Sequence, residues 1–183
     1  MAFKQVFIDL IEKAKTITGT NWQAVWNNQL DRMEDQSGLS LPFPALYFEI
    51  VPQEYNSLSL GVSQSELEIR IHVCHDQTDA GDGTFDQNLD YFDYRDAVKT
   101  AFTMFKPFNC GNMIASGEEQ DYEHTDIYHG ILSFKTCFVD TKGSPIDPEN
   151  GTWIERMPPT ELVVVYLEKD KNIFTDEFTS EFE

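Results

Sequence analysis

The chain has 183 residues, of which 40% are hydrophobic and 13% are aromatic. This length and composition suit one folded domain with a proper core and argue against a disordered chain. Acidic residues outnumber basic ones by 32 to 13, and the resulting net charge of −19 repels phosphate backbones and anionic lipids. The charge therefore argues against sequence-specific DNA binding, although it is equally typical of a chain that is merely kept soluble.

The first predicted element is an amphipathic helix. Six apolar residues follow helical spacing from residue 3 to residue 14, and Gly19 is expected at the end of the helix, where a positive φ is needed. Residues 21–28 then read as a short strand with Trp22, Ala24 and Trp26 on one face. Residues 29–40 are polar and predict a loop.

A proline pair precedes the next predicted strand. Pro42 and Pro44 lack an N–H and fix φ, so residues 41–44 are expected to hold the chain extended at the exit of the loop. Residues 45–51 then predict a strand, and Pro52 is expected to end it. Glu49 within this strand is interpreted either as an outward-facing residue or as a subunit contact.

Residues 66–74 alternate strictly between apolar and polar side chains. Leu67, Ile69, Ile71 and Val73 are expected on a dry face. Glu66, Glu68, Arg70 and His72 are expected on a face that is wet or that contacts another subunit. The alternation over residues 66–74 is typical of an antiparallel strand, and a polar loop over residues 75–86 follows it.

A second helix is predicted over residues 85–105, and Pro107 is expected to stop it. Its predicted apolar stripe consists of Leu89, Phe92, Val98, Ala101, Phe102 and Phe105. A short strand over 113–116, an acidic loop over 117–126 and a strand over 128–140 complete the series. The order predicts an α+β fold, with an antiparallel or mixed β-sheet covered on one face by two amphipathic α-helices.

The composition changes after residue 140. Residues 142–159 are rich in proline and glycine and predict a linker, residues 161–168 predict an extra strand, and an acidic tail follows from Asp170. We therefore expect a domain over 1–140 and a C-terminal extension over 141–183. Because a lone strand needs partners, this strand is expected either at the edge of its own sheet or against a neighbouring subunit.

Candidate catalytic and metal-binding residues form no established motif. Cys74, Cys110 and Cys137 are three widely spaced cysteines, which argues against a disulfide framework or a structural zinc site. The only close His/Cys group is His72, Cys74 and His75, and His124 and His129 match no helical metal motif. We predict no catalytic residue, no cofactor and no metal.

The location of the protein follows from its termini and hydropathy. The N-terminal residues lack a signal-peptide pattern, and no apolar run approaches the ~20 residues of a membrane helix. We therefore expect synthesis in a reducing cytoplasm without a membrane association.

Several short motifs carry a family resemblance. They are Trp26-Asn27-Asn28-Gln29, Leu41-Pro42-Phe43-Pro44-Ala45 running into Tyr47-Phe48-Glu49, the alternating strand, and a helix entry with Thr84, Phe85, Asp86, Leu89, Phe92 and Asp93. In this order and spacing, residues 2–140 resemble the tail terminator and tail-completion (neck) proteins of tailed bacteriophages and prophages. Residues from Thr141 onward depart from the compact form of that group.

The resemblance implies a non-enzymatic structural protein of the virion. Such proteins form rings, usually homohexamers, that stop growth of the tail tube and dock on the head connector. The implied partners are other copies of the chain, the tail tube protein, the connector or adaptor protein, and genomic DNA that passes through the lumen without specific binding. Interface positions are expected at Phe43, Glu49, Glu68, Arg70, His72, Trp153, Val164 and Tyr166.

Two alternatives stay open at this point. One is a different head–tail connector or adaptor ring protein, in which residues 141–183 clasp a neighbour. The other is a soluble metal-dependent enzyme that uses His72, His75 and the aspartate-rich loop with Asp76, Asp79, Asp82 and Asp86.

Overall fold

A computed structural model describes residues 2–30, 42–59, 61–76, 86–123 and 127–144. Over these residues the elements follow the predicted order of one helix, three strands, one helix and two strands, and the predicted α+β class is confirmed. The elements are α1 (Ala2–Ala14), β1 (Trp22–Val25), β2 (Ala45–Ser59), β3 (Val62–Asp76), α2 (Asp86–Phe102), β4 (Ile114–Asp121) and β5 (Ile127–Asp140).

The five described strands form one mixed sheet in the order β1-β2-β3-β5-β4. β1 runs parallel to β2, and every other neighbouring pair is antiparallel. β3 therefore lies at the centre of the sheet, between β2 and β5. Residues 66–74 are therefore not available as an edge strand, because the long hairpin with β2 and the full-length pairing with β5 occupy both sides of β3.

The main hydrophobic core draws on both helices and the central strands. The predicted dry face of β3 is confirmed, since all four of its apolar residues have no exposed surface. The fully buried members of the core from the other elements include Val6, Leu10 and Ala14 of α1, Leu46 and Phe48 of β2, Val98 and Phe102 of α2, and Phe134 of β5. A second, smaller cluster contains Leu30, Ala45, Tyr47 and Cys74.

The N-terminal elements are shorter than the sequence predicts. α1 ends at Ala14, and the chain continues through turns in which Ile17 N–H donates to the Ala14 carbonyl. Gly19 has φ +90°, which is the positive φ that the sequence predicts after the helix. β1 covers Trp22–Val25 rather than residues 21–28.

The apolar stripe of α2 differs from the prediction at its N-terminal end. Leu89 and Phe92 are 53% and 44% exposed, whereas Tyr91 and Tyr94 are buried. The two tyrosines are buried because their hydroxyls find partners: Tyr91 donates to Gln120, and Tyr94 shares a 2.8 Å hydrogen bond with Thr20. A prediction that relies on hydropathy alone does not anticipate that these hydroxyl groups find hydrogen-bond partners.

β2 continues through Pro52 to Ser59, so the prediction that Pro52 ends the strand is wrong. Proline is tolerated within a strand at a bulge or where one side lacks a neighbouring strand. Both conditions hold among the described residues, since the register shifts between Pro52 and Tyr55 and β1 pairs only as far as Phe48.

β4 extends to Asp121, so the prediction of an acidic loop from residue 117 is wrong over residues 117–121. Two acidic residues of β4 are tolerated in the strand because basic side chains lie beside them. Glu118 pairs with Lys99 and Arg95 of α2, and Asp121 pairs with His129 of β5. These ion pairs compensate for the low strand propensity of acidic residues.

The chain divides into two units, Met1–Gly143 and Ser144–Glu183, and every element above belongs to the first. The predicted linker after residue 144, the predicted strand 161–168 and the acidic tail lie outside the described residues. The predicted division into residues 1–140 and 141–183 stays a prediction.

Candidate functional site

Four of the predicted interface residues lie together on one face of the sheet. Glu49, Glu68, Arg70 and His72 define this polar face, because Glu49 of β2 pairs directly with Arg70 and alternate residues of β3 point the same way. Arg70 Nε donates to Glu68 Oε1 at 2.7 Å, and Arg70 Nη1 lies 3.7 Å from Glu49 Oε2. The bond to Glu68 raises the pKa of Arg70.

The arginine network is accessible to solvent. The side chain of Arg70 is 41% exposed, and those of Glu49 and Glu68 are 34% and 22% exposed. Exposed ion pairs of this kind contribute little to folding stability because water screens them. Their charges remain available for contacts with another molecule, as the predicted interface requires.

His72 departs from the prediction of a wet or intersubunit face, because only 3% of the residue is exposed. The indole of Trp26, directly after β1, stacks on its imidazole with a centroid distance of 3.9 Å and an interplanar angle of 8°. Trp26 also lies over His129, with centroids 5.5 Å apart. Trp26 therefore covers the part of the polar face at which His72 would otherwise meet solvent.

His72 belongs to a linear series of titratable groups. His72 Nδ1 lies 2.9 Å from His129 Nε2, and His129 Nδ1 donates to Asp121 Oδ2 at 2.8 Å. At the other end, His72 Nε2 lies 3.5 Å from Glu49 Oε2 without a hydrogen bond among the described residues. We call these four residues and the Trp26 above them the histidine cluster.

The environment of the cluster argues against nucleophilic chemistry. Burial, reinforced by the charge of His129, lowers the pKa of His72 to about 3. Tyr47 and Cys74 lie nearby on the same face, and burial raises the pKa values of both. Neither group ionises at neutral pH, so the cluster lacks an activated nucleophile among these neighbours.

The metal-dependent alternative requires His72 and His75 to meet, and the strand separates them. His75 lies three positions further along β3 and contacts Tyr91 and Tyr94 of α2 on the opposite face. Within the described ranges, no three His, Cys, Asp or Glu side chains are placed to hold a metal ion. Asp79 and Asp82 of the aspartate-rich loop lie outside those ranges.

The remaining predicted interface residues have separate positions. Phe43 is half-buried and packs against the smaller cluster around Tyr47, beside a cis peptide bond to Pro44. In the described subunit Phe43 therefore caps the smaller cluster. Trp153, Val164 and Tyr166 lie outside the described residues.

The two edges of the described sheet expose different apolar side chains. β1 exposes 46% of Trp22 and 46% of Val25, and β4 exposes 62% of Ile114. Directly after β4, Tyr122 is 84% exposed. Within the described part of the chain, β1 and β4 each pair with a strand on one side alone, so both edges present backbone groups for further pairing.

A largely apolar groove of about 500 Å³ adjoins the β1 edge. Val25 lines it together with the outer face of α1, including Phe7 and Ile8, and its wall carries both basic and acidic groups, which are Lys4, Lys142 and Asp140. The groove and the edge strand form one continuous surface through Val25.

The sequence interpretation missed His129 and Asp121 as members of the cluster. A signal for His129 exists, because the alternation of β5 puts it on the side opposite to Leu132 and Phe134. The pairing of Asp121 with His129 depends on the register of two distant strands, and local pattern does not give it.

Comparison with known proteins adds no family assignment, since no family model and no curated protein matches the chain. Neither α1 nor α2, the helices of the described part, has the length and apolar content needed to cross a membrane.

Proposed function

We propose that this chain is a structural protein of a phage neck, which assembles into a ring, ends the tail tube and joins it to the head connector. The resemblance over residues 2–140 motivates this function, and the two sheet edges are the observation that carries it. A ring requires a head-to-tail interface, in which two different surfaces of one subunit meet their complements on its neighbours.

The β1 edge and the β4 edge meet this requirement. They lie at opposite ends of the sheet, so a contact between them does not close into a symmetric dimer. The β1 edge adjoins an apolar groove whose wall carries Lys4, Lys142 and Asp140, and the β4 edge exposes Ile114. Both edges therefore offer apolar side chains that a contact between two copies can bury.

In the proposed subunit both helices cover one face of the sheet, and the polar face is left for contacts or for the passage. Residues of α1 and α2 in one buried cluster with the dry face of β3 support this arrangement. The net charge of −19 also suits a DNA conduit, because an acidic wall does not retain phosphate groups.

Two variants test the head-to-tail interface. Val25→Lys disables the β1 edge and Ile114→Lys disables the β4 edge, so each variant alone is expected to stay monomeric under conditions in which the wild type forms rings. Mixed together, they retain one intact surface of each kind and are expected to form heterodimers that cannot grow further. Leu89→Lys, at a 53% exposed position on α2, is the matched control and is expected to form rings.

The outcomes separate the alternatives. Rings that persist in both edge variants contradict the proposed interface, and a chain that never forms rings contradicts the proposed function. Rings that bind a connector but do not cap tail tubes assign the chain to the adaptor class instead.

A further inference from the structure

The histidine cluster contains one more contact than its neutral form can satisfy. With both imidazoles neutral, each ring has one N–H and one acceptor nitrogen. His129 Nδ1–H donates to the Asp121 carboxylate, so His129 Nε2 is an acceptor and His72 Nδ1–H donates to it. His72 Nε2 is then an acceptor that makes no hydrogen bond among the described residues and lies 3.5 Å from another acceptor, Glu49 Oε2.

One additional proton resolves this contact. With a proton on His72 Nε2, two ring N–H groups serve the two hydrogen bonds of the series, and the third turns the 3.5 Å approach to Glu49 into an attraction between opposite charges. The positive charge then lies between two carboxylates, and it can move from one ring to the other through the 2.9 Å bond between them. A second additional proton has no acceptor in the series, and burial together with the charge of His129 lowers the pKa of His72 to about 3.

The charges around the pair favour a single positive charge. Glu49 approaches from β2, and Glu119 and Asp121 lie on the same side of β4. The positive charge of Arg70 on β3 disfavours a positive charge on the histidines, but Arg70 already pairs with Glu68 and Glu49. Tyr47 and Cys74, two further neighbours among the described residues, stay neutral because burial raises their pKa values.

Trp26 connects this proton to the edge of the sheet. A cation beneath the face of an indole is held more strongly than a neutral ring, and Trp26 covers His72 at 3.9 Å. Trp26 follows β1 directly, and its backbone N–H donates to the Phe48 carbonyl at 2.9 Å. The position of the indole is therefore linked to the position of the short edge strand.

We propose that His72 and His129 together bind one proton at neutral pH, and that this proton holds Trp26 and the adjoining strand β1 against the sheet. The histidine cluster is thus a buried site for a single proton, with Asp121 and Glu49 as its two anionic ends. This inference rests on the geometry of one subunit and does not depend on ring formation.

Nitrogen NMR of the full-length chain with labelled histidine rings counts the protons directly. Single variants of each histidine assign the signals. At neutral pH, three of the four ring nitrogens of His72 and His129 are expected to be protonated. Two protonated nitrogens, one on each ring, would overturn the proposal.

Fluorescence tests the link to Trp26. In a chain carrying Trp22→Phe and Trp153→Phe, Trp26 is the sole indole, and a protonated imidazole beneath it quenches its emission. The emission is expected to rise in one step as alkali removes the shared proton. His75→Gln is expected to keep this step and His72→Gln to lose it. A step that persists in His72→Gln, or an emission that stays constant while the nitrogen spectrum shows loss of the proton, contradicts the proposal.

Discussion

Trp26 lies flat on His72, with ring centroids 3.9 Å apart and planes inclined by 8°. The two residues are 46 positions apart in the chain, and the parallel pairing of β1 with β2 brings them together. The indole of Trp26 covers a buried pair of histidines directly after the end of β1. It joins the histidine cluster to one of the two surfaces that the proposed ring uses.

Removal of the Trp26 indole is expected to destabilise the subunit. Trp26→Ala loses the stacking on both histidines and the edge contact with Tyr47, and a loss of about 3 kcal/mol in the free energy of unfolding is expected. Trp22→Ala is the matched control, because Trp22 is 46% exposed and its loss is expected to cost less than about 1 kcal/mol. Urea denaturation measures both values, and equal losses would contradict the role of Trp26.

The stability of the chain is expected to fall on the acid side because of His72. Burial and the charge of His129 lower the pKa of His72 from 6.5 to about 3 in the folded chain. Below pH 6.5 the unfolded chain therefore binds a proton on each of the two histidines, whereas the folded cluster holds a single shared proton. Stability from this group is present above pH 6.5 and decreases by up to about 1.4 kcal/mol per pH unit as the pH falls toward 3.

His72→Gln isolates this contribution. Glutamine keeps a hydrogen-bonding group toward His129 and does not titrate, so the variant is expected to show a shallower acid limb than the wild type. Unfolding free energies across the pH series give the difference in bound protons. Parallel acid limbs in the two proteins would show that His72 is protonated equally in the folded and unfolded chains.

Two glycines with positive φ are expected to respond differently to alanine. At Gly61, with φ +75°, an added Cβ overlaps the backbone carbonyl of Gly143, whereas at Gly19, with φ +90°, the added Cβ meets open space. Gly19→Ala is therefore expected to cost about 1 kcal/mol for its backbone conformation alone. Gly61→Ala is expected to cost at least about 1 kcal/mol more, because two backbone segments must separate. Thermal unfolding compares the two, and the same melting temperature in both would contradict the close approach of Gly61 to Gly143.

Double-stranded DNA is expected to pass the protein without binding. The 13 basic residues are outnumbered by 32 acidic ones, and the described Arg70, Lys99 and Lys135 already pair with carboxylates. Non-specific affinity depends on cations that displace the counterions of DNA, so gel-shift experiments at low salt are expected to show no complex. A complex that weakens steeply with added salt would reveal a basic surface.

The dry face of the central strand follows directly from its sequence. Apolar residues occupy every second position without interruption, at Leu67, Ile69, Ile71 and Val73. Because side chains of a strand alternate between its two faces, this spacing puts all four on the buried face. The α1 stripe is equally direct, because Val6, Leu10 and Ala14 repeat at helical spacing and are fully buried.

Other features depend on contacts that local pattern does not contain. The acids of β4 are read as a loop until Lys99 and Arg95 are brought opposite Glu118 by the packing of α2. His72 is read as a wet residue because its neighbours in sequence, Glu68 and Arg70, are polar and partly exposed. Its burial comes from Trp26 and His129, which only the sheet topology places beside it.

The mass of the purified full-length chain in solution, measured over a series of concentrations, tests the central claim of a ring-forming subunit most directly. We expect a closed species that reaches a limiting mass of about 127 kDa, which is six copies of 21.1 kDa, and does not grow beyond it. A single species of 21.1 kDa at every concentration would contradict the claim.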